Sequence, residues 1–394
     1  MKIIYNFIIY AYILAIKISS LYNKKARLWI EGRKNIFYKI KKQLKGEKDI
    51  VWFHCASLGE FEQAKPVIKA YKLKYVDHKI LLTFFSPSGF EIQKSNPIVD
   101  WVFYLPSDTK LNAKKFISIT KPIKAIFIKY EFWFNYINEI HNQGIPLYIV
   151  SAIFRKNHLF FKFKWFENQL KKITHIFVQD KKSQILLNSI SINNHSISGD
   201  TRFDTVVANR KKQKNITLIK KFSETQTTII CGSTWPKDEI ILNRFIKNYQ
   251  NYNFIIAPHE NNNIKKLQKE TNGILYSNVN ESNINSSNVL IIDRVGILSS
   301  IYKYGKYAYI GGGFGRGIHN ILEAVIFGIP IIFGPNYNKF KEAIDLINKK
   351  GAISINNYNE LVSALNYFKE FDKSIGENYI NENCGATEKI IKKL

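Results

Sequence analysis

From residue 50 onward the chain alternates short apolar runs with amphipathic stretches. Ile50–His54, Ile80–Phe85, Trp101–Tyr104, Ala125–Ile128, Leu147–Val150 and Ile176–Val178 predict buried strands. Phe61–Tyr71 and Asn112–Ile119 predict helices between them. Past residue 205 the pattern restarts, with Thr228–Cys231, Phe254–Ala257, Val289–Ile292, Tyr307–Ile310 and Ile329–Phe333 as strands. Continuous apolar strands separated by helices predict parallel sheets covered by helices, once per half. The polar stretch Asn209–Asn215 (NRKKQKN) predicts a linker, and the Asn/Ser-rich Ser277–Asn288 a loop. Two Rossmann-like halves place ligands at the carboxyl ends of strands, so chemistry is sought directly after each strand.

Ahead of this pattern stands Ile3–Ile16 (IIYNFIIYAYILAI), an apolar run interrupted only by Asn6. It falls short of the ~20 residues a spanning helix needs and matches a signal-peptide core in length. Extension to Leu21 makes a span feasible if Lys17 snorkels. No small-x-small cleavage pattern follows. Instead come Lys24, Lys25, Arg27, Arg33, Lys34, Lys39, Lys41, Lys42 and Lys45 against only Glu31. A basic flank on the C-terminal side predicts an uncleaved anchor at residues 1–22 with the remainder cytoplasmic. A cleaved signal peptide is the alternative.

At 394 residues the chain predicts two domains, over 23–208 and 209–394. The formal net charge of +27 points toward an anionic membrane or nucleic acid. A chain rich in Lys, Asn, Ile, Tyr and Phe also follows from AT-rich codons whatever its function, so only the cluster beside the anchor carries weight. No RNA- or DNA-reading motif is present, and no nucleic-acid partner is expected. Cys55, Cys231 and Cys384 lie far apart with no metal or disulfide spacing, and Cys55 and Cys231 end apolar runs as buried, inert thiols.

The sharpest local signal is Tyr307–Gly328, YAYIGGGFGRGIHNILEAVIFG. A strand ends at Ile310, glycines turn the chain, and a helix is predicted to begin near Ile318. Glycines such as Gly312 and Gly313 let backbone N–H groups approach a phosphate, aided by the helix N-terminus. Arg316 is a further phosphate contact. Asn320 and Glu323 share a helix face, and a carboxylate there can accept from a ribose diol. Gly232, Ser233 and Thr234 follow one neighbouring strand and His259 another, as walls of the same pocket. The competing view is a glycine turn serving backbone geometry alone.

In the first half, His54-Cys55-Ala56-Ser57-Leu58-Gly59-Glu60 leads from a strand into a helix. Glu60 at the helix N-terminus, where negative charge is favoured, can act as a general base; a capping glutamate is the alternative. Glu131 ends a strand in KYEFWFN, among aromatics able to receive a sugar or acyl chain, or else as a core carboxylate. Lys129 can pair with it or contact an anionic acceptor.

These residues together resemble the 3-deoxy-D-manno-octulosonic acid (Kdo) transferases of lipopolysaccharide synthesis. The resemblance runs nearly end to end. It takes in RLWIEGR at 27–33, SLGE at 57–60, KYEFW at 129–133, 151–155, GDTRFD at 199–204, GSTW at 232–235, the Pro258-His259 pair, 293–296 and the motif spanning 311–323. It implies an α/β fold of GT-B type, with two Rossmann-like domains facing across a cleft behind an N-terminal anchor at the inner membrane. It implies an inverting, metal-independent glycosyltransferase without cofactor, using CMP-Kdo as donor and a lipid A precursor (lipid IVA) as acceptor. By the same resemblance Glu60 is the base and Glu131 a second essential acid. Ser57, Gly59, Lys129 and Arg155 face the acceptor, while Gly232, Ser233, Thr234, His259, Val295, Gly296, Gly312, Gly313, Arg316, Asn320 and Glu323 surround CMP. The absence of an Asp-x-Asp pair agrees with metal independence. The chain departs from the pattern in lacking an arginine beside His259, in carrying Trp235 where a histidine is expected, and in reading Asp293-Arg294-Val295-Gly296-Ile297. Arg294 or Arg316 is expected to supply the missing phosphate contact. The rivals are a GT-B enzyme using a UDP-sugar, transferase or epimerase, and a non-catalytic basic membrane- or nucleic-acid-binding protein.

Overall fold

The computed structural model describes residues 1–213 and 215–394. The chain divides into two compact units, Met1–Thr205 with Cys384–Leu394, and Val206–Asn383. The first holds β1 (Ile50–Cys55), β2 (Lys79–Phe84), β3 (Trp101–Tyr104), β4 (Lys124–Ile128), β5 (Leu147–Ala152), β6 (His175–Val178) and β7 (His195–Ile197), in the order β3-β2-β1-β4-β5-β6-β7. The second holds β8 (Thr227–Thr234), β9 (Tyr252–Pro258), β10 (Ile274–Leu275), β11 (Val289–Ile291), β12 (Tyr307–Ile310), β13 (Ile331–Phe333) and β14 (Ala352–Ser354), in the order β10-β11-β9-β8-β12-β13-β14. Every recorded pairing is parallel. Strand order reverses between β1 and β4 in one sheet and between β8 and β12 in the other. Those are the points where a doubly wound sheet opens a crevice for ligand.

Each sheet is buried on both faces, which is why its central strands are apolar without a break. Along β1, Ile50 and Trp52 pack into one core with Phe116, Phe127 and Ile137, while Val51, Phe53 and Cys55 pack into another. The second core is closed by α4 (Leu58–Lys74) through Phe61, Ala64, Val67, Ile68 and Tyr71. Three short strands, β7, β10 and β14, go beyond the sequence expectation. All lie at or next to sheet edges, where little apolar burial marks them.

The predicted domain limits meet two differences. A helix over Thr201–Lys211 continues through the first part of the predicted linker, whose Lys214 lies outside the described residues. The last residues, Cys384–Leu394, join the first unit. Asp204 accepts from the Gly385 and Thr387 amides at 2.6 Å each, and Ile390 and Leu394 are buried in the α4 core.

At the N-terminus α1 (Lys2–Ser19) is long and apolar enough to cross a membrane by length and composition. One face is nonetheless docked. The Tyr5 hydroxyl donates to Asp108, Asn135 Nδ2 donates to Asn6 Oδ1 at 2.9 Å, Ile9 is buried, and Tyr12 stacks on Phe85. The opposite face exposes Ile3, Phe7, Leu14 and Ile18. Then follow α2 (Lys24–Gly32), started by Asn23 accepting from the Lys25 and Ala26 amides, and α3 (Ile36–Gln43). Arg33 from the basic flank turns inward, donating to the Leu105 and Phe85 carbonyls at 2.8 Å with its guanidinium 3.8 Å over Trp29.

Candidate active site

The carboxyl ends of β1 and β4 carry both predicted acids. Glu60 lies in the first turn of α4, directly after the Ser57 N-cap, and accepts from the Ser57 hydroxyl. Glu131 follows β4 and is buried, at 8% exposure. Its Oε2 lies 2.6 Å from Trp133 Nε1 and 3.1 Å from His54 Nε2. His54, fully buried on β1, has Nδ1 2.8 Å from the Thr83 hydroxyl, and that hydroxyl lies 2.7 Å from Trp52 Nε1. An indole nitrogen only donates and a carboxylate only accepts, which orders the chain. With Trp133 Nε1 donating to Glu131 at 2.6 Å, the shorter of its two distances (His54 Nε2 lies 3.0 Å from it), Trp52 donates to Thr83, Thr83 to His54 Nδ1, and His54 Nε2–H to Glu131. Burial pushes the Cys55 thiol up well above its ordinary value, and Glu60 and Glu131 add to that push, so both carboxylates bear on the end of β1. Cys231 is likewise buried and pushed upward, as the inert reading expected.

Left-handed backbone occurs near strand ends in both units, as well as at six other non-glycine positions among the described residues. Lys129 just past β4, Ser151 on β5 and Ser233 on β8 adopt left-handed φ of 67°, 55° and 55°. Side chains pay for such backbone only where the surroundings fix it, which is common at ligand sites. Ser57 and Gly59 both precede Glu60 at the start of α4. Arg155 is exposed, with its influence reaching Tyr130 and His158.

In the second unit β8, β9 and β12 bring most of the predicted donor residues together. The His259 amide donates to the Thr234 carbonyl at 2.9 Å, and the Gly311 amide to the Gly232 carbonyl at 2.9 Å. A Cβ at Gly311 would meet the Ser233 carbonyl oxygen at 2.2 Å, and one at Gly313 would meet the Gly334 nitrogen at 2.5 Å. Only glycine allows those backbones to lie so close. Asn320 donates to Glu323 at 3.2 Å, and Glu323 in turn raises the buried Tyr302 phenol, after burial itself. The Tyr302 hydroxyl lies 1.9 Å from where a Gly232 Cβ would stand, linking Gly232 to Glu323 through one phenol.

Two expectations about this loop are corrected. No helix begins at Ile318: the Gly317 and His319 amides turn back to Gly312 and Gly311, and the helix is only Leu322–Val325. Asn320 therefore precedes the helix, its Oδ1 accepting from the Leu322 amide, and so short a helix offers no dipole to a phosphate. The Gly312 amide is also spent, on Asp238 at 2.9 Å. The Gly313 and Arg316 amides make no hydrogen bond within the described residues. Val295 is 93% exposed and Gly296 sits in open space at φ +90, and no recorded contact draws them to the other donor residues. Arg316 is exposed, and Arg294 stacks over Tyr276 at 5.5 Å.

Several residues of these sites were not singled out from sequence. Asp238, fully buried, accepts from the Trp235 amide, the Gly312 amide and the Tyr309 hydroxyl. The Trp-Pro-Lys-Asp order, a carboxylate three residues into a helix, resembles half of a capping box and is the signal that marks it. His319 stacks on His259 with centroids 4.2 Å apart, and Trp235 stacks on His259 at 4.7 Å. Nothing local in the sequence marks His54 or Thr83.

The model of the 3-deoxy-D-manno-octulosonic-acid transferase (kdotransferase) family matches residues 31–205. The 3-deoxy-D-manno-octulosonic acid transferase of Aquifex aeolicus is 31% identical over 342 residues, covering 85% of this chain and 90% of that protein. That of Rickettsia felis is 27% identical over 352 residues, covering 86% and 75%. Among solved structures, UDP-GlcNAc 2-epimerase from Neisseria meningitidis superposes with a TM-score of 0.60 at 16% identity over 87% of this chain and 98% of that one, a likeness of fold alone. Parallel sheets with switch-point sites, family-wide identity and near-complete coverage agree: the chain belongs to the 3-deoxy-D-manno-octulosonic acid transferase family and is a glycosyltransferase.

Proposed function

We propose that the protein moves Kdo from CMP-Kdo to a lipid A precursor such as lipid IVA, inverting the anomeric centre, at the cytoplasmic face of the inner membrane. The observation that carries this is the pair of carboxylates at the β1/β4 switch point in a chain of the Kdo transferase family, one accepting from a serine hydroxyl and the other held by His54 and Trp133. Glu60 takes the proton of a primary hydroxyl on the acceptor as that oxygen bonds to the anomeric carbon. The bond from that carbon to the CMP phosphate oxygen breaks, and its electron pair leaves with CMP. Glu131, fixed on its buried relay, orients the acceptor beside Ser57, Gly59, Lys129 and Arg155. Gly232, Ser233, Thr234, His259, Gly312, Gly313, Asn320 and Glu323 enclose the nucleotide, with Val295, Gly296 and Arg316 on loops that reach it. The unspent amides of Gly313 and Arg316 support the phosphate charge in place of a metal. The exposed face of α1 and its lysine-rich flank hold the enzyme at the bilayer where the acceptor resides.

The test is mass spectrometry of products formed from CMP-Kdo and lipid IVA, with and without EDTA. Glu60→Gln is expected to lower turnover about a hundred- to ten-thousand-fold, the usual worth of a general base, while CMP-Kdo binding persists. Substantial transfer by the purified variant would remove Glu60 from this role. Thermal stabilisation by UDP and not by CMP would favour a UDP-sugar enzyme instead.

A further inference from the structure

The loop after β12 and the N-cap of the helix following β8 meet at one hydrogen bond. Trp235 Nε1 lies 2.9 Å from His319 Nε2. An indole N–H can only donate, so His319 Nε2 must be the acceptor and the ring proton must sit on Nδ1. The ring is held on other sides as well. His259 stacks on it at 4.2 Å and 27°, and a Cβ at Gly312 would stand 3.0 Å from its Cδ2 and 2.5 Å from the Gly317 carbonyl oxygen, at a φ of +91 that favours glycine. The backbone beneath is fixed, since the His319 amide donates to the Gly311 carbonyl at 3.2 Å. Asp238 sets both partners at once through the Trp235 and Gly312 amides.

We propose that Trp235 is a positioning residue that locks His319 as the neutral Nδ1–H tautomer, and that this Nδ1–H donates to the phosphate of the bound nucleotide. The second half rests on the CMP-sugar reading above. His319 Nδ1 has no hydrogen-bond partner among the described residues, and the ring sits against Gly312 in the turn where several loop amides are already spent. A neutral donor of fixed direction replaces part of what those amides do not give. The ionisable groups around it are His259 on the stacked face, Asp238 beneath Trp235 and Gly312, and Glu323 bonded to the adjoining Asn320. Burial first, and His259 second, lower the His319 imidazole to about 4, so it stays neutral across physiological pH.

The experiment uses the full chain in detergent with ¹⁵N-labelled histidine, and CMP and cytidine as probes. In nucleotide-free protein the ¹⁵N shifts of His319 should show the proton on Nδ1. Trp235→Phe, which keeps the stacked ring and loses the donor, should let His319 titrate about one pH unit higher, the scale of one hydrogen bond. It should weaken CMP about tenfold while leaving cytidine, which lacks the phosphate, within twofold. His319→Gln, able to accept from Trp235 and donate outward, should keep CMP binding that His319→Leu loses. The Gln variant serves equally if Trp235→Phe misfolds. A proton found on Nε2, or equal losses for CMP and cytidine, would overturn the proposal. Absence of CMP binding by the unaltered protein would refute the donor reading and the phosphate half, while the nucleotide-free tautomer still judges the hold of Trp235.

Discussion

At the residue scale, what supports the two acids is as consequential as the acids. His54 and Thr83 are register partners across β1 and β2, and Trp52 shares their face two residues back. The relay Trp52–Thr83–His54–Glu131 is therefore a product of strand pairing. Replacing Thr83 with valine keeps its shape and removes its hydroxyl. Trp52 Nε1–H then has no partner, and His54 Nδ1 can bond only the position-83 carbonyl, 3.1 Å away. That bond requires the proton on Nδ1; in the neutral ring Nε2 then loses its donor to Glu131 and becomes an acceptor for Trp133 Nε1, 3.0 Å away. Thr83→Val should cost about 2–3 kcal/mol in denaturant unfolding, the price of buried unsatisfied groups, and lower turnover about tenfold or more. Thr83→Ser should restore both. Unchanged turnover in the valine variant would show that Glu131 does not depend on the relay. Glu60, Glu131 and the glycine loop were legible in the sequence because each directly follows an apolar run. His54 and Thr83 were not, because only the register of β1 and β2 brings them together, and His319 was not, because its partner Trp235 lies 84 residues earlier at a helix N-cap; Asp238 carried only the weak mark of half a capping box.

At the element scale the central strands were legible for a physical reason, burial on both faces, and the edges were not. β10 is two residues and β7 and β14 three each, too short to show a pattern. The stretch after the glycine loop looks helical by composition, but the backward bonds of Gly317 and His319 deny it its first turns. Motifs also divide by role. In GDTRFD, Thr201 and Thr205 donate to the carbonyls of Gln63 and Glu62 on α4, and Asp204 holds the C-terminal helix. That motif is architectural. α1 depends on similar pins, since Asp108 receives the Asn135 and Tyr136 amides as well as the Tyr5 hydroxyl. Burial raises Asp108 to about 6, which makes its remaining acceptor bonds valuable. Tyr5→Phe removes one pin and keeps the ring on Phe134, 5.0 Å away between centroids. It should speed amide exchange across residues 2–19 about fivefold, from the loss of about 1 kcal/mol, and leave exchange in β1–β6 unchanged. Equal exchange in both proteins would mean that α1 is held by apolar contact alone.

At the scale of the whole molecule, the proposed membrane attachment draws on two separable parts, the positive charge and the N-terminal helix. The excess of +27 is too widespread in origin to argue from as a total. Within the basic flank, Arg27 is turned onto the Ser20 and Leu21 carbonyls and Arg33 onto buried ones, so both are already engaged by the fold. The exposed lysines 24, 25, 34, 39, 41, 42 and 45 remain for anionic headgroups, each worth about 1 kcal/mol close to such a surface. Their attraction fades as the screening length shrinks from about 10 Å at 0.1 M salt to about 3 Å at 1 M. The apolar face of α1 has the opposite behaviour, since burial of Ile3, Phe7, Leu14 and Ile18 does not weaken with salt. Sedimentation with phosphatidylglycerol vesicles should thus show two components. Charge reversal at Lys39, Lys41 and Lys42 should weaken binding strongly at 0.1 M salt and little at 1 M. Serine at Phe7, Leu14 and Ile18 should abolish the salt-resistant part and spare much of the rest. If 1 M salt alone released the unaltered protein, α1 would contribute nothing to attachment, and its exposed face would need a different occupant.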